Sequence, residues 1–298
     1  MPDLAAEAHV VLDQACRRAH LDPSGAALLR LRSNAVFRLK SSPVVVRITR
    51  SAAAPTRMPT VLRMTRWLHG QGFPTVRPAD LEQPLQIDGA TITFWEYLPA
   101  APDQKKPTTT DLGTLLRRLH SLPEPPFELP VFNDPLRSIR HDVLHRPGIL
   151  SPYEQTWLTE LIEERTHDWN ALPALGAPRI LHGDAWIDNL LLHADGHPVL
   201  HDWDSVALGD TPWDLIHTYH GRYRFGLGPQ DVDMFALTYG YDLRDWAGFT
   251  SLMQIRDLYA TGIHVRNAPG DPFSRHELQH RLASIKDGDT TRQWRLRS

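Results

Sequence analysis

The chain has 298 residues, of which 41% are hydrophobic and 22% charged, a composition typical of a globular protein rather than a disordered one. This length corresponds to about two domains. The net charge of −3 at pH 7 argues against nucleic-acid binding, and no apolar run approaches the ~18 residues of a membrane span. The N-terminal residues 1–20 lack the apolar core of an export signal, so we expect a cytoplasmic protein.

Strand patterns dominate the N-terminal part of the chain. The hydrophobic spacing predicts a helix over residues 3–20, three strands within 26–50, a helix over 58–69 and a hairpin over 79–98. Ser33-Asn34 is the turn signal between the first two strands, and Asp88-Gly89 is the turn dipeptide of the later hairpin.

Helical patterns dominate after the polar, proline-containing stretch 100–107, which marks a natural boundary. They predict helices over residues 110–121, 151–171, 211–220, 229–239, 248–264 and 274–286. A strand-rich part followed by a helix-rich part predicts an α+β protein with two lobes, residues 1–98 and residues 99–298.

A second hairpin pattern carries polar residues at its ends. The apolar runs 190–192 and 199–200 flank Asp195-Gly196, and a two-residue turn at that dipeptide would place Asn189 directly opposite Asp202. Opposed residues share one face of the sheet with Cβ atoms about 5 Å apart. An amide oxygen and a carboxylate so placed suit a hard cation such as Mg²⁺.

Asp184 lies just before this hairpin, in the triplet His182-Gly183-Asp184, where a carboxylate could accept a proton from a hydroxyl nucleophile. For Asn189 and Asp202 alone, an ordinary hairpin with polar ends is an equal alternative. The triplet on the same unit favours a functional site.

Two further acids follow. Thr211-Pro212-Trp213-Asp214 predicts a helix start in which Thr211 is the N-cap and Asp214 supports the cap and the neighbouring loop. Asp204 is two residues beyond Asp202, and either a metal or substrate contact or a solvated turn acid explains it.

The string His182-Gly183-Asp184-x4-Asn189, followed by a strand and Asp202-Trp203-Asp204, resembles the Brenner-type motif of the aminoglycoside phosphotransferase and choline kinase group. Further segments that resemble this group are Phe73–Pro78, Trp95–Pro99 and Gly209–Asp214. The resemblance implies a protein-kinase-like fold, with a small antiparallel-sheet N-lobe that binds nucleotide and a larger, mainly helical C-lobe for catalysis and acceptor binding.

The resemblance also implies roles for individual residues. Asp184 would be the catalytic carboxylate that orients the acceptor hydroxyl and takes its proton. Asn189 and Asp202 would bind Mg²⁺, which bridges the nucleotide phosphates. These are the parts that phosphoryl transfer requires, since it depends on positioning and on neutralising charge.

The nucleotide, ATP or GTP, would be held by residues of the N-lobe. Glu96 and Leu98 would bind adenine through their backbone groups at the hinge. Ser33 and Asn34 would occupy the turn that covers the phosphates, because the sequence has no glycine-rich loop there.

Arg47 is a cation inside the apolar strand 44–49, which favours a phosphate ligand over a solvent-facing arginine at a sheet edge. The family usually has lysine here, paired with a glutamate on the next helix. That glutamate is absent, and Val61 stands at the aligned position. Arg47 would then be held by another carboxylate, with Asp202 as a candidate, or phosphate binding would be weak.

Three hypotheses follow. The leading one is a small-molecule kinase that phosphorylates a hydroxyl of an aminoglycoside, a sugar or an amino alcohol. The others are a catalytically weak, kinase-like nucleotide-binding protein and a metallohydrolase built on His182, Asp184, Asp202 and Asp204. The mixture of acidic and basic residues in the C-terminal half argues against a dedicated polycation site. The sequence carries no signal for an oligomeric state.

Overall fold

The computed structural model describes residues 4–99, 106–146 and 148–296. The chain divides into two compact units, each of which is drawn from separate segments. The first comprises Met1–Pro107, Pro125–Leu129 and Asp188–Val206, and the second comprises Thr108–Glu124, Pro130–Ile187 and Ala207–Ser298. Most of the predicted boundary stretch, residues 100–105, lies outside the described residues, and a domain boundary after residue 98 stays a prediction.

The elements are, in chain order, α1 (Leu4–Arg18), β1 (Ala27–Leu31), β2 (Asn34–Arg38), β3 (Val44–Thr49), α2 (Ala54–Gly70), β4 (Leu85–Ile87), β5 (Ala90–Glu96), α3 (Thr109–His120), α4 (Arg137–His145), α5 (Pro152–Asn170), β6 (Arg179–Leu181), β7 (Leu190–Leu192), β8 (Pro198–Leu200), β9 (Ala207–Gly209), α6 (Pro212–Arg224), α7 (Pro229–Tyr239), α8 (Phe249–Asn267) and α9 (Pro272–Lys286). None of these helices is long and apolar enough to cross a membrane.

The first unit is built on an antiparallel sheet with strand order β1-β2-β3-β5-β4, and its strands lie within the ranges that the strand patterns predict. Val46 and Ile48 of β3 are buried in one core with Phe37 of β2 and Phe94 of β5. Because side chains alternate along a strand, the opposite face of β3 carries Arg47. The helix expected to begin at residue 58 begins at Ala54.

The β7–β8 hairpin has a register that differs from the predicted one. Leu191 pairs with Val199, whereas a two-residue turn would pair it with Leu200. Gly196 donates its N–H to the carbonyl of His193 at 2.8 Å and has a φ of +85°. A type I turn followed by a left-handed glycine makes a three-residue loop, and this loop shifts the register by one residue.

The second unit is mainly helical, and all six helices expected in this part of the chain are present. Its small sheet pairs β6 with β9 in antiparallel orientation, with Ile180 opposite Leu208. Helix α4 was not expected. Its buried apolar residues are Ile139 and Val143, and two such positions in a nine-residue helix are too few to produce a clear periodic pattern.

Candidate active site

Asp184 lies in the loop that follows β6 in the second unit. Gly183 before it has a φ of +82°, a left-handed conformation that glycine adopts without the cost a side chain would add. The backbone carbonyl of Asp184 accepts a hydrogen bond from the N–H of Trp186 at 2.9 Å. The Asp184 side chain is 45% exposed. The loop therefore presents a carboxylate that solvent and a small molecule can reach.

Asp214 of α6 holds the backbone of this loop. Its carboxylate is fully buried and accepts hydrogen bonds from the backbone N–H groups of His182, at 2.7 Å, and Gly183, at 2.8 Å. Nε2 of His120 lies 3.1 Å from the same carboxylate. The expected loop support is thus present. Thr211 is the N-cap residue and Pro212 begins the helix, as expected, although the Thr211 side chain makes no capping hydrogen bond.

His217, one turn after Asp214 on α6, lies behind Asp184. Its Nδ1 is 3.8 Å from Oδ1 of Asp184, which is too long for a hydrogen bond. The ring is fully buried, and neither nitrogen has a hydrogen-bond partner among the described residues. Burial lowers the pKa of His217 well below its ordinary value, so the imidazole is neutral at neutral pH.

Helix α8 adds a buried cation to the surroundings of Asp184. The guanidinium carbon of Arg256 lies 4.5 Å from the ring centroid of Tyr259. Burial lowers the pKa of Arg256, while the charges of Tyr259 and Asp184 oppose that shift. An arginine stays protonated even so, and the field of Asp184 favours its charged form. Sequence reasoning missed His217, Arg256 and Tyr259, because no motif links them to Asp184.

Asn189 and Asp202 lie at the neighbouring ends of β7 and β8 in the first unit. Asn189 ends a short 3-10 helix, and its carbonyl accepts a hydrogen bond from the N–H of His201 at 3.0 Å. Asn189 therefore pairs with His201, and the expected direct opposition to Asp202 is wrong because of the three-residue loop. Asp202 follows β8 in a left-handed conformation, with φ of +66°.

The donor chemistry of Asn189 and Asp202 fits Mg²⁺, because an amide and a carboxylate offer oxygen ligands and leave room for phosphate oxygens and water. Within the described ranges, no group of three or more His, Cys, Asp and Glu side chains is arranged to hold a metal ion. The metallohydrolase hypothesis therefore gains no support from the structure.

Arg47 is held by Asp204, in the first unit, through two parallel hydrogen bonds. Nη1 donates to Oδ1 at 2.8 Å and Nη2 donates to Oδ2 at 2.7 Å. Nη2 also lies 3.4 Å from Asp202, the candidate partner from the sequence. Burial by itself would lower the pKa of Arg47, but the charge and hydrogen bonds of Asp204, together with the charge of Asp202, raise it. The main partner of Arg47 is thus Asp204.

Arg57 of α2 donates to the same carboxylate of Asp204, from Nη2 at 3.0 Å. It lies one turn before Val61, which is buried in the core. The helix that carries the partner glutamate in the resembling family thus contributes a cation in this chain. Sequence reasoning did not find this pair, because 147 residues separate Arg57 from Asp204.

Ser33 and Asn34 lie where β1 turns into β2. Asn34 pairs with Thr49 of β3, and in the amide orientation that satisfies its neighbours its side-chain oxygen accepts from Nη2 of Arg47 at 2.8 Å. Ser33 is exposed in the turn. Asn34 therefore belongs to the group of residues around Arg47, and Ser33 lies beside it.

Glu96 and Leu98 lie at the end of β5. The N–H of Glu96 donates to the carbonyl of Arg77 at 2.8 Å, and the two side chains form an exposed ion pair at 3.4 Å. The N–H of Leu98 donates to no backbone carbonyl within the parts of the chain that the structure describes. A backbone donor of this kind is what an adenine ring requires.

A cavity of about 430 Å³ lies in the second unit near the C-terminal segment. Its lining includes Tyr219 and Tyr223 of α6, Arg244 and Gln293. By helical spacing, Tyr219 and Tyr223 lie on the side of α6 away from His217, so this cavity is separate from the surroundings of Asp184.

The chain belongs to the phosphotransferase enzyme family, whose model matches residues 26–250. This match confirms the family recognised from the triplet His182-Gly183-Asp184 and the hairpin, and with it the assignment of the chain as a phosphotransferase enzyme. No curated protein sequence matches the chain.

Solved structures of the same fold include several small-molecule kinases. Amicoumacin kinase hAmiN, solved with AMP-PNP, Ca²⁺ and Ami, has a TM-score of 0.71 at 16% identity and covers 95% of this chain and 94% of its own. The microcompartment-associated aminopropanol kinase has a TM-score of 0.68 at 17% identity, covering 95% and 99%. Choline kinase LicA from Streptococcus pneumoniae has a TM-score of 0.64 at 16% identity, covering 94% and 99%. These similarities confirm the α+β fold with a small antiparallel-sheet lobe and a larger helical lobe.

Proposed function

We propose that the protein is an ATP-dependent kinase that transfers the γ-phosphoryl group to a hydroxyl of a small molecule. Asp184 acts as the base, Asn189 and Asp202 hold Mg²⁺, and Ser33, Asn34, Arg47, Glu96 and Leu98 bind the nucleotide. The observation that supports this most is the clamp of Asp214 on the backbone of His182 and Gly183, which presents an exposed carboxylate in a family of phosphotransferases.

Asp184 is suited to accept the proton of the acceptor hydroxyl. Its side chain is 45% exposed, and the imidazole of His217, 3.8 Å away, is neutral because burial lowers its pKa. The clamp fixes the loop, which limits the entropy lost when the acceptor is aligned. Mg²⁺, when bound at Asn189 and Asp202, supplies neutralisation of phosphate charge.

Arg47 is held in place although the glutamate that usually anchors this cation is absent. A phosphate-binding cation needs a fixed position, and the two parallel hydrogen bonds to Asp204 provide it. A protein that binds nucleotide without turnover was suggested by Val61 alone. The anchored Arg47 and the clamped loop of Asp184 favour an active enzyme instead.

The charges near Asp184 favour a neutral acceptor, such as a sugar, over a polycation. Arg256 is buried close enough to feel the charge of Asp184, and its Nε and Nη1 have no hydrogen-bond partner among the described residues. A substrate ammonium group in such surroundings would be repelled, whereas a hydroxyl or ether oxygen could accept a hydrogen bond from the guanidinium.

A cytoplasmic location remains a prediction.

The test is ATP turnover against three panels of acceptors: neutral sugars, amino alcohols and aminoglycosides, each with Mg²⁺ and with excess chelator. We expect ADP and a phosphorylated product, identified by mass spectrometry, with at least one neutral acceptor and only with the metal present. Nucleotide binding without ADP formation in the presence of any acceptor would support the weak-kinase alternative. Turnover with polycations alone would be consistent with a kinase and would refute the preference for a neutral acceptor.

A further inference from the structure

We propose that Arg57 is a second phosphate-binding cation, and that Asp204 anchors it together with Arg47. This inference rests on the proposed function and adds a residue to its nucleotide site. In the resembling family, a glutamate on the helix after the cationic strand anchors one lysine. In this chain the arrangement is reversed, because the helix provides a cation and the carboxylate comes from the segment that follows β8.

The hydrogen-bonding capacity of the two arginines differs. Both terminal nitrogens of Arg47 are engaged by Asp204, and Nη2 also meets the side-chain oxygen of Asn34. Arg57 makes one hydrogen bond with the described residues, from Nη2, although a guanidinium carries five N–H donors. Arg57 therefore has more donors left for a ligand than Arg47 has.

One of those donors is buried. Nε of Arg57 is shielded from solvent and has no hydrogen-bond partner among the residues that the structure describes, while the side chain as a whole is 33% exposed. A buried donor without a partner costs free energy, and a phosphate oxygen would satisfy it. The partly exposed side chain leaves a route for such an oxygen.

The charge balance also favours an anionic ligand. A lysine–glutamate pair is neutral, whereas Arg47 and Arg57 together exceed Asp204 by one positive charge. Asp202 lies 3.4 Å from Arg47, and its negative charge alone would cancel that excess. When Asp202 binds Mg²⁺, however, its charge is shared with the metal ion. Two arginines on one carboxylate thus leave positive charge for a polyphosphate.

The alternative is a structural ion triad without a role in binding. The two explanations predict different binding losses. A residue that contacts the phosphates affects the binding of ATP and does not affect the binding of adenosine, which has no phosphate. The experiment is calorimetric titration of the full chain, in Mg²⁺ buffer, with ATP, ADP and adenosine. The variants are Arg57→Gln, Arg57→Lys and the control Arg66→Gln, which removes an exposed arginine from the same helix.

We expect Arg57→Gln to weaken ATP binding about ten- to a hundredfold, the size of a lost charge-assisted hydrogen bond, and to leave adenosine within about twofold. Arg66→Gln should change neither. Unchanged ATP binding in Arg57→Gln, or equal losses for ATP and adenosine, would overturn the inference while wild-type ATP binding keeps the proposed function. Failure of the wild-type chain to bind ATP would overturn both.

The lysine variant protects the test against misfolding. If thermal melting shows that Arg57→Gln is not folded, Arg57→Lys decides, because it keeps the charge and loses the planar fork. We expect about a threefold loss for ATP and none for adenosine, on the scale of a weakened contact. Wild-type affinity for ATP in that variant, or a loss that adenosine shares, would contradict a phosphate contact.

Discussion

Asp204 and Asp184 lie only 20 residues apart in the sequence, yet their surroundings differ in kind. Asp204 is 20% exposed and accepts three hydrogen bonds from two arginines. Asp184 is 45% exposed, and a neutral imidazole lies 3.8 Å away. A carboxylate held by two guanidinium groups is fixed in position, whereas the more exposed carboxylate of Asp184 can be reached by a small molecule. The surroundings, more than the residue type, thus distinguish the carboxylate that anchors two arginines from the one that we propose as the base.

The largest expected effect comes from removing the support of Asp184. Asp214→Ala leaves the backbone N–H groups of His182 and Gly183 unpaired in a fully buried place, so we expect a loss of about 3–5 kcal/mol in the free energy of unfolding. Urea denaturation measures this loss. Asp210→Ala, an exposed control four residues earlier, should change stability by no more than about 0.5 kcal/mol. Equal stabilities of the two variants would contradict the clamp.

Lowering the pH should weaken the second unit. Burial lowers the pKa of His220 from 6.5 to about 4, and it also lowers the pKa of His264 to about 4. Between these values the unfolded chain binds more protons, so stability is complete above pH 6.5 and falls as the pH approaches 4. We expect a loss of about 2 kcal/mol from each of the two histidines between pH 7 and 4.5, measured by thermal melting.

The variant His220→Gln tests the source of this pH dependence. It removes one of the buried imidazoles and should flatten the profile between pH 6.5 and 4.5, although stability at pH 7 falls as well. A profile parallel to that of the wild-type chain would show that protonation of His220 is not a cause.

Removing Asp204 should have a smaller but clear effect. Asp204→Ala leaves Arg47 and Arg57 without their carboxylate in a partly buried place, and we expect a loss of about 2–3 kcal/mol in unfolding free energy. Combining Asp204→Ala with Arg57→Ala should cost less than the sum of the two single changes, because each removes the same bond. Additive losses in urea denaturation would argue against the shared anchor.

The smallest effect is expected at Glu96. Its ion pair with Arg77 is half exposed at 3.4 Å, so Glu96→Ala should change stability by at most about 0.5 kcal/mol. ATP affinity should stay within about twofold, because the proposed contact with adenine uses the backbone. A tenfold loss of ATP affinity in a calorimetric titration would assign the side chain a role that we do not expect.

Local patterns predicted most of the fold. A strand or helix that packs one face on a core shows a regular spacing of apolar residues. Residues 44–49 and 229–239 have such spacings, and the structure has a strand and a helix at those positions. The β7–β8 register was wrong, because Asp195-Gly196 allows a two-residue or a three-residue loop and the sequence does not distinguish them. That one residue moved His201 into the place expected for Asp202.

Some residues of the proposed site could likewise be recognised from the sequence, and others could not. Asp184, Asn189 and Asp202 stand at fixed spacing in one short segment, so their pattern could be recognised. Arg47 and Asp204 are 157 residues apart, and only the folded chain brings them together. His217 and Arg256 could not be predicted from the sequence either, because a buried histidine or arginine on a helix has no distinctive spacing.

In the proposed function Asp184 performs the chemistry while the arginines around Asp204 hold the nucleotide. A single-turnover measurement at saturating ATP, with the best acceptor of the panel, tests it in Asp184→Asn beside the exposed control Asp188→Asn. We expect the phosphoryl-transfer rate of Asp184→Asn to fall by about 10²–10⁴-fold with unchanged ATP affinity, and Asp188→Asn to match the wild-type chain. A rate in Asp184→Asn within a few-fold of the wild-type rate would show that Asp184 is not the base.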